Sequence, residues 1–159
     1  MSVEMQAAAR TFFTSQHFAV AGASSQTHKF GHKIFAWYLN HDLPTTPLNP
    51  SCNVVNVRGQ GYETAPNVSA LQAPKDTALS IITPRKVTSQ LLREAKEVGI
   101  RAVWLQPGSF GDEEMQYALR EFPGAAVGGM EGGTRGGEGW CVLVDGDKAM
   151  HDAGKSEKL

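Results

Sequence analysis

The chain has 159 residues, enough for one domain with a real core. Fifteen basic and sixteen acidic residues nearly cancel, and the basic ones are scattered, so neither nucleic acid nor an acidic membrane surface is an expected partner. Two distant cysteines, Cys52 and Cys141, fit free thiols in a reducing compartment, and no apolar run is long enough to span a bilayer.

Residues 1–17 contain "MSVEMQAAARTFF", which has no signal-peptide apolar region and carries Glu4, unlike a mitochondrial presequence. A short helix capping one end of the sheet is expected there. The cytoplasm is the expected compartment, with a mitochondrial one left open. The domain body is expected over 18–150 and a frayed, charged tail over 151–159. Apolar runs at Phe18–Gly22, Thr45–Leu48, Leu79–Thr83 and Ala102–Gln106 predict buried parallel strands, with weaker strands at Ala125–Gly128 and Cys141–Val144. Helices are predicted over 30–41, where Ile34, Trp37 and Tyr38 share a face, over 84–98 with Gly99 as its stop, and over 112–122. Asp112, Glu113 and Glu114 open that last helix, as the helix dipole prefers. Residues 52–75 predict a long connection with a short helix near Val68–Gln72. This order predicts an α/β, Rossmann-like, doubly wound and mostly parallel sheet of five or six strands with helices on both faces, a three-layer αβα domain.

Ligands in such a sheet bind at the carboxyl ends of the strands. Those ends read Gly22-Ala23-Ser24, Asn49-Pro50, Thr83-Pro84-Arg85-Lys86, Gln106-Pro107-Gly108 and Gly128-Gly129-Met130. They are small, turn-forming or hydrogen-bonding, and together predict a narrow floor with exposed backbone donors for an elongated, partly anionic ligand. Lys29 at one helix start, and Arg85 and Lys86 at another, stand against the helix dipole, which makes sense with an anion between them. A dinucleotide fingerprint is missing. After Gly22 come Ser24 and Thr27 where glycines belong, and Asn49-Pro50 replaces the ribose-binding acid. No phosphate-loop motif of the G-x-x-x-x-G-K-[ST] type is present either.

The segments "FAVAGASSQTHKFGHKIFAWYL", "PLNP", "GYETAPNVSAL", "SIITPRKVTSQLLREAKEVGIRAVWLQPG" and "CVLV" run in the order of the small single-domain CoA-binding proteins, and the sequence resembles that family, which is related to the CoA-binding domain of succinyl-CoA ligase alpha chains. The resemblance implies a Rossmann-like fold that binds coenzyme A or an acyl-CoA. It implies that Gly22, Ala23, Ser24, Lys29, Phe30 and Gly31 line the nucleotide-phosphate loop and that Asn49 and Pro50 border the adenine or ribose side. Thr83, Pro84 and Val87 would hold the pantetheine or pyrophosphate region, with Gln106, Pro107 and Gly108 alongside. The segment "GGMEGGTRGGEGW" (128–140) is richer in glycine than the family pattern; it reads as a mobile surface insertion or as a flap that brings Arg135 to a phosphate.

The ligase relatives need a phosphorylated histidine and a partner domain, and neither is expected within this chain. His28 and His32 have metal-compatible spacing without an evident third ligand. Glu94 and Glu97 are expected on a helix away from the strand ends, which argues against a general base. The expected function is therefore a non-catalytic module that binds coenzyme A or acyl-CoA. The alternative is an NAD(P)-linked oxidoreductase on the same fold. Trp37 is expected in the core rather than on a partner surface, and a homodimer stays open.

Overall fold

The computed structural model describes residues 2–155. Five parallel strands form the main sheet, in the spatial order β2 (Thr45–Leu48), β1 (His17–Ala21), β5 (Thr77–Ile81), β6 (Ala102–Leu105) and β7 (Ala126–Val127). The chain leaves β1 towards β2 on one side and later returns to β5 on the other, so the order reverses between β1 and β5. The register is set along the middle: Phe18 pairs with Ala78 and Thr45, and Leu79 with Ala19 and Val103.

Each face of the sheet has its own helices, because alternate strand residues point to opposite sides. Phe18 and Val20 of β1 join a core with α1 (Ser2–Phe13), α2 (Phe30–Asn40) and α5 (Val142–Asp152). Ala19 and Ala21 join a second core with α3 (Arg85–Val98) and α4 (Asp112–Glu121). The layered α/β architecture is the one predicted. Among the described residues, no helix is long and apolar enough to cross a membrane.

Several elements depart from expectation. The predicted strand at 141–144 is instead the start of α5. Val142, Asp145, Gly146, Ala149 and Met150 are buried at helical spacing, while Leu143 and Val144 are exposed. The Asp145 carboxylate accepts the Cys141 amide, and the Gln106 side chain accepts the Val142 amide, which closes the first turn. A run of four apolar residues is too short for periodicity to separate strand from helix.

The loop expected at 52–75 contains an antiparallel hairpin, β3 (Val54–Val57) and β4 (Gln60–Glu63). Arg58 (φ 50°) and Gly59 (φ 78°) form its two-residue turn, with the double positive φ that tight hairpins favour. Val55 and Val57 are buried and Val54 and Asn56 exposed. The short helix near Val68 is a single turn, Val68–Ala70, whose start is capped by the Asn67 side chain. β5 lies two residues earlier than predicted, which leaves Thr83 in the following loop.

α1 covers a face of the sheet rather than its end: Phe12 and Phe13 pack against Phe18 and Trp104. Trp37 is buried, stacked on His41 and pressed against Gly146, where an added Cβ would collide with the indole. The tail boundary expected at His151 falls inside α5, and Lys155 reaches back to the Ser15 carbonyl and the Phe18 ring. Residues 156–159 of that tail lie outside the described residues.

Candidate functional site

The β1–α2 turn is built on two close backbone approaches. Gly22 has φ 95°, and a Cβ there would run into the Ile82 carbonyl. A Cβ on Gly31, in the first turn of α2, would run into the Gly22 carbonyl. Only glycine at both places lets the end of β1 meet β5 and the start of α2. The loop between them is tied down from inside. Ser24 Oγ accepts the Gln26 amide, the Ser24 carbonyl lies 2.8 Å from His32 Nδ1, and Asn49 Nδ2 donates to the Ala23 carbonyl at 3.0 Å. The Asn49 carboxamide also accepts the Ser51 amide. Asn49 thus joins the ends of β1 and β2, and Pro50 follows on the rim.

Beside this turn, a groove of about 530 Å³ opens at the carboxyl ends of β1, β2 and β5. Ala21 and Gly22 form its inner end, Leu48 and Pro50 one wall, and Pro66 and Asn67 extend that wall. The opposite wall is Thr83 followed by Lys86, Val87, Gln90, Leu91 and Glu94 of α3. Two other clefts are comparable in volume. One, of about 450 Å³, includes His17, Thr46 and Thr77 at the starts of their strands. The other, of about 620 Å³, lies between α1, α4 and β7. The cleft by His17 lies at the opposite, amino ends of β1, β2 and β5, whereas the groove opens at their carboxyl ends, where the strand order reverses and open α/β sheets take ligands. The groove's volume lies within the usual range of about 300–1,000 Å³ for small-molecule sites.

Of the predicted residues, the groove brings together Gly22, Pro50, Thr83, Lys86 and Val87. Ala23 is buried behind the turn, and Lys29 sits exposed at the N-cap of α2. Phe30 is half-buried, and Pro84 is the N-cap of α3. Pro107 and Gly108 form the β6–α4 turn, Gly108 with φ 87° and open space around it.

Two predicted residues are engaged elsewhere. Gln106 is fully buried; its Nε2 donates to Ser80 Oγ and its Oε1 accepts from Val142. It joins β5, β6 and α5, so no polar atom is left for a ligand at the rim. Arg85 turns towards α4, where its Nε lies 2.7 Å from Glu114 Oε1, over Gly111. Burial pushes the Glu114 carboxyl up, but the Gly111 amide and the Arg85 guanidinium outweigh that and hold it below the ordinary carboxylate value. The charge that seemed to oppose the α3 dipole is thus neutralised by Glu114, which leaves Lys86 as the cation of that helix start at the groove.

Glu94 lies on α3 away from the strand ends, as expected, but the groove extends along the helix far enough to include it. The sequence reading missed Gln90 and Leu91, although they follow from Val87 by helical spacing. The glycine-rich segment is fastened to the opposite face. Trp140 Nε1 donates to the Glu131 carbonyl, Thr134 Oγ1 and the Arg135 amide donate to Asp145, and Gly132 packs on Met5. Cys141 is buried there, and burial raises its thiol's pKa above the ordinary value. Among the described residues, no three His, Cys, Asp or Glu side chains cluster as metal ligands.

The model of the CoA binding domain family matches residues 16–131. The chain belongs to that CoA-binding domain family. The matched span covers the main sheet, the hairpin and the whole groove, and ends before α5. No curated protein matches the chain. Among solved structures, a hypothetical protein from Pyrococcus horikoshii OT3 is 22% identical with a TM-score of 0.64, over 75% of this chain and 80% of that one. A conserved hypothetical protein from Pyrococcus furiosus is 27% identical with a TM-score of 0.59, over 70% and 90%. The dinucleotide forming acetyl-coenzyme A synthetase 1 of Ca. Korarchaeum cryptofilum, in its apo form, is 20% identical with a TM-score of 0.58, over 71% of this chain and 25% of that one. The likeness to the first and third of these is one of fold.

Proposed function

We propose that the protein binds coenzyme A or an acyl-CoA, without catalysing a reaction, in the groove between the β1–α2 turn and α3. The observation that carries this reading is the groove's position: within a CoA-binding domain, it opens at the strand-order reversal beside the Gly22–Gly31 turn. Gly22 lets the end of β1 close against β5 and stands at the inner end of the groove. Lys86 supplies positive charge at the rim, and the first turn of α3 adds the positive end of the helix dipole. Leu48, Pro50, Val87 and Leu91 supply apolar surface for a flat or aliphatic portion. Lys29, exposed at the start of α2, is available to the phosphates from the other side. Asn49 acts by holding the two loops in place. Gln106 and Arg85 contribute to the frame behind the rim. Pro107 and Gly108 border the path by which the pantetheine arm would leave.

Isothermal titration calorimetry with CoA, dephospho-CoA, acetyl-CoA, NADH and NADPH tests the proposal. Saturable binding of the CoA compounds with NADH and NADPH silent is the expected result. Equal binding, or none, across the panel contradicts it. Preferential NAD(P)H binding would favour the oxidoreductase alternative.

A further inference from the structure

The edge strand β7 lies at the opposite side of the sheet from β2, and beside it α1 and α4 leave the cleft of about 620 Å³. Its walls are largely apolar. α4 repeats Met115, Leu119 and Phe122 at the i, i+4, i+7 spacing of a stripe that helices bury. Phe122 is buried and Met115 half-buried, but Leu119 is 49% exposed and lines the cleft. Met5 of α1 and Pro123 add apolar surface, with the small, buried Ala8 and Ala126 between them. A Cβ on Gly132 would run into Met5, so the segment after β7 lies hard against α1 at one end. Around Gly124 (φ 70°) the space is open at the other.

Charge divides the cleft along its length. α1 enters β1 and α4 joins β6 to β7, so both helices run antiparallel to the parallel strands. Glu4, near the start of α1, and Glu131, just after β7, therefore stand at the carboxyl end of the sheet. Leu119, Pro123 and Gly124, which precede β7, stand at the amino end. Both acids are exposed, and among the described residues no cation lines the cleft. Arg120, next to Leu119, is engaged elsewhere: it pairs with Glu121 at 3.0 Å and lies over the Tyr117 ring. The cleft is thus acidic at one end and apolar at the other.

We propose that this cleft docks a peptide segment of a partner protein, in which basic residues adjoin a large apolar side chain. The basic residues meet Glu4 and Glu131, and the apolar side chain covers Leu119 against Pro123. An exposed apolar surface rimmed by polar groups marks an interaction site. The sign of the rim selects the partner, because opposite charges steer encounter while like charges are costly. The acidic end disfavours nucleic acid and anionic lipid. The apolar end has nothing to offer a free metal ion or a polyamine, which would need only the acids. This surface and the cofactor groove lie on opposite sides of β6, so the inference does not rest on the cofactor reading.

The probe is a random peptide library displayed on phage, selected on the full chain and counter-selected on Leu119→Asp. Recovered peptides are expected to carry lysine or arginine beside leucine, phenylalanine or methionine. Their affinity, read by fluorescence anisotropy, should fall about tenfold in Leu119→Asp and about tenfold in the double variant Glu4→Lys, Glu131→Lys. Replacing the peptide's basic residues by glutamate should abolish binding to the parent protein and restore it in the double variant, a swap that damage to the fold would not produce. All three substituted positions are exposed, so melting temperatures should match that of the parent. Peptides without basic residues, no peptide that separates the parent from Leu119→Asp, or no restoration by the charge swap overturns the inference. Sedimentation of the parent as a dimer that Leu119→Asp dissociates would assign the surface to a second copy of the chain, and likewise overturns it.

Discussion

The two sides of the central sheet use different side chains for different ends. On the α1–α2–α5 side, Phe12, Phe13, Phe18, Trp37, Tyr38, Trp104 and Trp140 pack ring against ring, with centroids 5–6.5 Å apart in most pairs. The glycine-rich segment and α5 pack over that side. On the α3–α4 side the strands present Ala19, Ala21, Leu79, Ile81, Val103 and Leu105 to aliphatic helix faces. The small Ala21 at the end of β1 and the Gly22 turn stand at the inner end of the groove. Bulk on one face holds the sheet, and lack of bulk at one corner of the other leaves room for a ligand. Changes on the aromatic face should therefore move stability, and changes along the groove should move binding.

The largest effect is expected at Trp104, which is fully buried against Phe12, Phe13 and Trp140. Trp104→Ala should cost about 3–5 kcal/mol of unfolding free energy in a denaturant titration. A loss under about 1 kcal/mol would show that the aromatic layer does not hold the sheet. Gly22→Ala comes next and tests both halves of the comparison at once. Its positive φ and the Ile82 carbonyl predict a loss of about 1–3 kcal/mol by the same titration, together with loss of CoA binding.

Lys86→Glu should separate the two properties. The residue is exposed and lines the groove, so CoA affinity should fall about tenfold while the melting temperature stays unchanged. The smallest effect concerns acid. The Glu114 carboxyl is held below its ordinary value of 4.5 in the fold. Its contribution is therefore fully present above that value and is lost as pH falls through the lower, folded-state value. Arg85 is largely exposed, so the contribution is small. Melting curves between pH 6 and pH 3 should fall less steeply in Glu114→Gln than in the parent protein.

Much of this division was legible beforehand. Doubly apolar strands and amphipathic helices announced the layered α/β fold, and the strand-end residues at Gly22, Pro50, Thr83, Lys86 and Val87 meet at one groove. What was not legible depends on partners distant in sequence. Gln106 looks like a ligand residue until Ser80 and the Val142 amide take its carboxamide. Arg85 looks like a phosphate cation until Glu114, twenty-nine residues on, turns it away. The hairpin carried a readable signal, Val55 and Val57 alternating before Arg58-Gly59, but the surrounding glycine and proline obscured it. Glu94 joins the groove because the groove extends about two turns along α3, further than the strand ends alone indicate.

The most direct test of the division is a ¹⁵N-labelled amide-shift titration with CoA. The account predicts saturable shifts at Gly22, Ser51, Lys86, Val87 and Leu91, with Phe13, Trp104 and Ala149 unmoved. Shifts centred on the aromatic face or on the cleft by Thr46 and Thr77, or no shifts at millimolar CoA, would contradict it.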